Sequence, residues 1–181
     1  MKQRKATALR GLVLRQMIPE DVEAMLALQA RVLAALPDPS WYVPSDRQEF
    51  TEALEARDAF GYYDGGVLAG FAEITPASAR GERGYALKLN EPTRDTFDFH
   101  DVMVGPDYRG RGIHTAFLSL FSEMVRGLDG RAIYATVDPG NAPSYRNFER
   151  AGYALVVIKP AYDGRLRRFY RLTLPVKEET L

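Results

Sequence analysis

The chain of 181 residues contains no cysteine. That excludes a disulfide framework, a thiolate nucleophile and any metal centre built on cysteine. Histidine is nearly absent: His100 and His114 are the only two, and they form no metal-ligand spacing, so no metal is expected. There is no excess of charge of one sign, because 24 basic residues meet 24 acidic ones. A neutral chain has no global basic field with which to hold nucleic acid. No apolar run approaches the roughly 20 residues that span a bilayer, so no membrane partner is expected. Residues 1–10 carry Lys2, Arg4, Lys5 and Arg10 but no signal-length apolar stretch follows, and they read as a flexible, solvated N-terminus. These absences suit a cytoplasmic protein. No repeat and no linker divides the sequence, so residues 1–181 are expected to form a single domain.

What is present is an apolar content of 46%, enough for one good core, in a regular alternation of strand and helix signals. Leu12–Met17 alternates apolar and polar side chains, as a half-buried strand does. Pro19-Glu20-Asp21 opens a helix with an apolar face of Val22, Met25, Leu26, Val32, Leu33 and Leu36, ended by Pro37 and Pro39. Trp41-Tyr42-Val43-Pro44 is an aromatic connector, and Ser45 with Gln48 predicts a capping box for a second helix. Ala59–Tyr63 and Val67–Ile74 flank Asp64-Gly65-Gly66, a hairpin signal. The polar stretch from Thr75 to Thr96 is long enough to suggest a specificity loop, and the alternation of Tyr85, Leu87 and Leu89 suggests that part of it is ordered. Phe97–Val104 predicts a central strand. Ile113–Leu128 predicts a long helix with Phe117, Leu120, Phe121, Met124 and Leu128 on one stripe. Ala132–Val137, Tyr153–Ile158 and Leu166–Leu174 predict further strands, with a helix from Ala142 to the Ala151-Gly152 stop between the first two. Tyr162, in the turn before the last strand, reads as a packed aromatic first and a lid residue second, and Glu178-Glu179 lie in a short tail. The basic run Arg165–Arg168 suggests solvent exposure or contact with an acceptor carboxylate.

The stretch Val102–His114 carries the strongest chemical signal. An apolar strand runs through Gly105-Pro106 and the glycine-rich Arg109-Gly110-Arg111-Gly112 into a helix. A strand that turns into a helix in this way leaves backbone N–H groups unpaired and aligned, which makes an anion site that the helix dipole reinforces. The run has no Gly-Lys-Ser/Thr ending, and Thr115 stands where the dinucleotide pattern needs its third glycine.

Arg109-Gly110-Arg111-Gly112-Ile113-His114 instead resembles the acyl-CoA-binding motif of the GNAT superfamily of N-acetyltransferases, with Val104-Gly105-Pro106 matching the strand end before it. His114 departs from the usual glycine or alanine and brings a larger side chain close to the pyrophosphate site. Asn141-Ala142-Pro143-Ser144, followed by Phe148-Glu149-Arg150-Ala151-Gly152-Tyr153, resembles the second signature of that superfamily. The resemblance spans nearly the whole chain. It implies an α/β fold with a central, mostly antiparallel sheet that contains a parallel, splayed strand pair and is flanked by helices. It also implies acetyl-CoA as co-substrate, a small-molecule or peptide amine as acceptor, and a homodimer as an assembly common in the family. Cofactor contacts would come from Met103, Val104, Arg109, Gly110, Arg111, Gly112, Ile113, His114, Thr115, Asn141 and Ser144. The pantetheine arm would pair with main-chain groups as an added strand, and the Asn141 amide would bond one of its amides.

Acetyl transfer needs a neutral amine, and alkyl amines are mostly protonated near neutral pH. Period two along the central strand places Asp98, His100, Val102 and Val104 on one face, and Phe99, Asp101 and Met103 on the other. His100 is the candidate base, with an unperturbed pKa near ~6.5, and Asp98 would orient it or act through water. Asp101, on the opposite face, ranks third. The Val104 N–H would serve as oxyanion donor. Many members place a tyrosine where Phe148 stands and use it as general acid toward the thiolate; here Tyr145, one helical turn earlier, or a water would take that role. The alternatives are a non-catalytic acyl-CoA-binding or regulatory domain and a protein–protein module in which the glycine corner is only structural.

Overall fold

The computed structural model describes residues 9–161 and 164–175. The basic residues of the first eight positions, Tyr162 and the Glu178-Glu179 tail lie outside the described residues. The described residues form seven strands: β1 Val13–Gln16, β2 Ala59–Asp64, β3 Val67–Pro76, β4 Thr96–Val104, β5 Ala132–Val137, β6 Ala154–Pro160 and β7 Leu166–Thr173. Among the described residues five α-helices accompany them: α1 Val22–Ala34, α2 Arg47–Glu55, α3 Tyr85–Lys88, α4 Ile113–Gly127 and α5 Ala142–Arg150. The strands follow the order β1-β2-β3-β4-β5-β7-β6 in one mixed sheet. The β4–β5 pair is parallel and the others are antiparallel. Among the described residues no helix is long and apolar enough to cross a membrane.

The chain resolves into two compact units. The first comprises the residues up to Glu73 together with Asp101–Phe117, and the second Ile74–His100 with the residues from Leu118 onward. The first unit is built on Met17, Met25, Leu28, Phe50, Leu54, Phe71 and Met103, all buried. Phe50 and Phe71 meet edge to face at 5.5 Å, a geometry that adds to area burial alone. The β2–β3 turn has φ of +53° at Gly65 and +93° at Gly66, the paired left-handed conformation that a two-residue hairpin requires. The second unit has one core at Ala77, Tyr85, Ala86, Ala132, Tyr134 and Phe169. A second aromatic cluster joins Phe99 to Phe121 at 5.0 Å and to Phe148 at 5.4 Å.

Several local expectations shift. The capping box at the start of α2 uses Asp46 and Glu49, one residue beyond the Ser45–Gln48 pair. Asp46 Oδ1 accepts from the Glu49 N–H at 2.9 Å, and Glu49 Oε2 accepts from the Asp46 N–H at 3.0 Å. The stripe of α4 is rotated: Ile113, Phe117, Leu118, Phe121 and Val125 are buried, whereas Leu128 lies past the last turn and is exposed. Part of the 75–96 stretch is ordered as the helix α3, not as an alternating strand, with Tyr85 and Ala86 inside and Leu87 outside. Alternation along β4 breaks at Asp101, whose φ is +36°, a conformation that non-glycine residues seldom adopt in a strand.

Candidate active site

In the first unit, the corner after β4 is shaped by conformation rather than by crowding. Gly110 and Gly112 have φ of +77° and +82°, and a Cβ at either would meet no atom within 4 Å. These are left-handed positions that glycine adopts without strain. They flank Arg111, and left-handed residues next to other conformations are the building blocks of anion-binding nests. Among the described residues the main-chain N–H groups of Gly110, Gly112, Ile113 and Thr115 have no hydrogen-bond partner. The Arg109 N–H is used, on Pro106 O at 3.3 Å, and the helical ladder begins with Ala116 N on Gly112 O at 2.9 Å. The side chains of Arg109 and Arg111 reach outward to the carbonyls of Ala35 and Arg10 at 3.4 and 3.3 Å. His114 is half-buried with its Nε2 shielded from solvent. Burial pushes its pKa down to about 4, so the ring is neutral near pH 7.

The Gly105 N–H donates to Ala69 O at 2.8 Å. Main-chain groups of successive strand residues point to opposite edges, so those of Val104 face away from β3. The Met103 carbonyl lies on the β3 side, 2.8 Å from where a Cβ on Gly70 would stand, and the Met103 side chain is in the core. Of the two residues expected to meet pantetheine, Val104 offers its main chain and Met103 shapes the strand.

Asp101 accepts hydrogen bonds from Tyr42 Oη at 2.5 Å and Ser45 Oγ at 2.8 Å. Ser45 is itself held by the buried Gln29, through Nε2 to Ser45 O at 2.8 Å and Ser45 N to Oε1 at 3.0 Å. These bonds hold the left-handed Asp101 in place. Glu73 is 2% exposed, and its carboxylate lies within 4.8 Å of that of Asp101. Sequence reading passed over Glu73; its signal was a lone acid in the otherwise apolar run Leu68–Ile74.

In the second unit, the parallel ladder pairs Thr96↔Ala132 through Phe99↔Ala135. Among the described residues it stops there, while β5 continues to Val137 on its β7 partners. Asp98 is completely buried. Its Oδ2 accepts from the Tyr85 N–H at 2.9 Å, and Arg80 Nε stands 3.7 Å away. Burial raises its pKa to about 6, against the opposing N–H groups of Tyr85 and Ala86 and the Arg80 charge. Asp98 thus secures the start of α3 and does not face outward. His100 Nε2 lies 2.9 Å from Thr75 Oγ1. Burial, with help from Arg80, holds its pKa well below 6.5, and not at the unperturbed value expected for a base.

Asn141 caps α5, its Oδ1 accepting from the Ser144 N–H at 3.2 Å. Its Nδ2 has no partner among the described residues. Tyr145, half-buried, lies under the Arg168 guanidinium, 4.1 Å from the ring centroid. Phe148 is 2% exposed, packed against Phe99, Tyr153 and Tyr170. The basic run is not uniformly solvated: Arg167 is 2% exposed and ion-paired to Asp138 at 2.6 Å.

The acetyltransferase (GNAT) family matches residues 27–153. The chain belongs to that family, whose enzymes use acetyl-CoA as co-substrate. Solved structures agree in fold. The ribosomal-protein-S18-alanine N-acetyltransferase of Escherichia coli superposes with a TM-score of 0.70 at 19% identity, covering 94% of this chain and 98% of its own. An N-acetyltransferase from Staphylococcus aureus Mu50 gives 0.69 at 19% identity, over 91% and 99%. yncA from Salmonella typhimurium, solved with its cofactor acetyl-CoA, gives 0.67 at 22% identity, over 95% and 98%. No curated protein matches the sequence.

Proposed function

We propose that this chain is an acetyl-CoA-dependent N-acetyltransferase that acts on a primary amine of a small molecule or peptide, by direct attack within a ternary complex. The observation that carries this reading is the set of four unpartnered main-chain N–H groups at Gly110, Gly112, Ile113 and Thr115. Unpaired amides gathered by two left-handed glycines at a helix start fit a diphosphate. Acetyl-CoA supplies an activated acyl carbon and a thiolate leaving group. The amides hold its diphosphate, with Arg109 and Arg111 adding charge at the rim. The Val104 N–H holds negative charge that develops on the acyl oxygen. Asn141 Nδ2 donates to a pantetheine carbonyl.

His100 takes a proton from the attacking amine. It is neutral across the physiological range, but its depressed pKa makes it a weak base, so part of the deprotonation falls to the amine's own equilibrium. Asp98 positions the segment carrying Arg80 and Tyr85. The Tyr145 hydroxyl protonates the departing thiolate. One observation favours a second reading, a binding domain without turnover: Phe148 has no hydroxyl and is sealed in the core.

Thermal melting with acetyl-CoA tests the shared premise. At 100-fold excess over Kd, ligand binding stabilises by about 2.7 kcal/mol; no shift at saturating acetyl-CoA overturns both readings. Free-thiol release with a panel of amines then separates them. Turnover unaffected by His100→Ala and Asp98→Ala together removes the base assignment.

A further inference from the structure

The buried Arg167 is chemically out of place. It is 2% exposed on β7, where an arginine without a partner is strongly unfavourable. Its Nη1 donates to Asp138 Oδ2 at 2.6 Å and to Leu166 O at 3.1 Å. The register explains the meeting. Val137, the last residue of β5, pairs with Arg168, so Asp138 leaves the sheet beside Arg167.

Asp138 does more than neutralise the arginine. Its second oxygen, Oδ1, accepts from the Gly140 N–H at 2.8 Å. Its main-chain carbonyl accepts from the Asn141 N–H at 3.0 Å. The carboxylate therefore joins the sheet on one side to the turn Asp138–Asn141 on the other. Asn141 then caps α5 through Oδ1, which fixes the direction of its Nδ2.

We propose that the Arg167–Asp138 pair positions the Asn141 amide for acetyl-CoA. This rests on the reading above that Asn141 contacts the cofactor. An apolar pair of similar volume would fill the same space without an ion pair's desolvation cost, but it could not accept from the Gly140 N–H. Arg167 and Asp138 touch no reacting atom and act only through Asn141.

The test is a double-mutant cycle on acetyl-CoA affinity, measured by titration calorimetry on the full chain. Arg167→Met in the otherwise native protein is expected to weaken acetyl-CoA binding about tenfold. It should raise the KM for acetyl-CoA and leave the KM for the amine unchanged. In an Asn141→Ala background, Arg167→Met should cost no further affinity, since the group it positions is gone. If Arg167→Met costs the same in both backgrounds, or lowers the melting temperature without changing affinity, the proposal is overturned. Should Arg167→Met fail to fold, Asp138→Asn carries the cycle. It keeps an acceptor for Gly140 and loses the charge facing Arg167, and the same outcomes decide. Wild-type protein that binds no acetyl-CoA refutes the functional reading itself, a result distinct from binding that is insensitive to Arg167.

Discussion

At the residue scale, position 148 decides how the missing tyrosine is to be understood. Phe148 stacks on Tyr170 with ring centroids 6.0 Å apart and meets Tyr153 edge to face at 5.1 Å. A hydroxyl added there enters a closed aromatic cluster. The same cluster already holds an unpartnered one: Tyr153 is 3% exposed, and its hydroxyl has no hydrogen-bond partner among the described residues. Phe148→Tyr is expected to lower stability by about 1–3 kcal/mol, the cost of a buried unpaired polar group, and to leave kcat no higher. Tyr153→Phe should raise or preserve the melting temperature, because it removes such a group. Denaturant melts with thiol-release assays read both. A rise in kcat in Phe148→Tyr would show that position 148 faces the reaction after all.

At the scale of elements, much of the arrangement was legible. Periodicity placed the strands and long helices to within a few residues, and Gly65-Gly66 named its own turn. The glycine corner was legible too, although its chemistry lies in two φ values more than in the absence of a Cβ. What sequence pattern missed depended on contacts between distant residues. Ser45 reads as a cap, but Gln29 and Asp101 claim it, and the cap passes to Asp46. Asp101 reads as one step in a strict alternation, yet Tyr42 and Ser45 hold it left-handed, so the faces assigned along β4 do not continue through it. Arg167 reads as one of three basic residues, solvated or facing an acceptor carboxylate, until β5 brings Asp138 beside it. The corner also supplies a controlled comparison. Ala at position 112 must take the left-handed conformation, at about 1–2 kcal/mol, and the same strain falls on Gly66→Ala, where φ is +93° and no atom lies within 4 Å. Both variants should lose similar stability in melts. Gly112→Ala should in addition weaken acetyl-CoA binding at least tenfold, while Gly66→Ala leaves it unchanged. Equal affinities in the two variants would separate the corner from the cofactor.

At the scale of the whole molecule, the acid response between pH 7.5 and 5 is expected to turn on a few desolvated groups, and these oppose one another. His114 has a folded pKa near 4 and an ordinary value of 6.5. The unfolded state therefore binds the proton first, and the stability that the neutral ring contributes is present above pH 6.5 and lost as pH falls toward 4. His100, also depressed, acts with the same sign. Asp98 acts with the opposite sign. Its folded pKa is about 6 and its ordinary value 3.8, so the folded state takes the proton first and gains stability as pH falls through 6. Between pH 7.5 and 5, linkage assigns His114 a loss of about 2 kcal/mol and Asp98 a gain of about 1 kcal/mol. Single substitutions should therefore split the acid response in two directions. His114→Ala should lose less stability than the parent on going from pH 7.5 to pH 5, whatever its absolute stability. Asp98→Asn, which retains an acceptor for the Tyr85 N–H but cannot be protonated, should lose more. Urea melts at the two pH values give the differences directly. Parallel shifts in the two variants would mean that neither group sets the acid response and that it arises in surface charges.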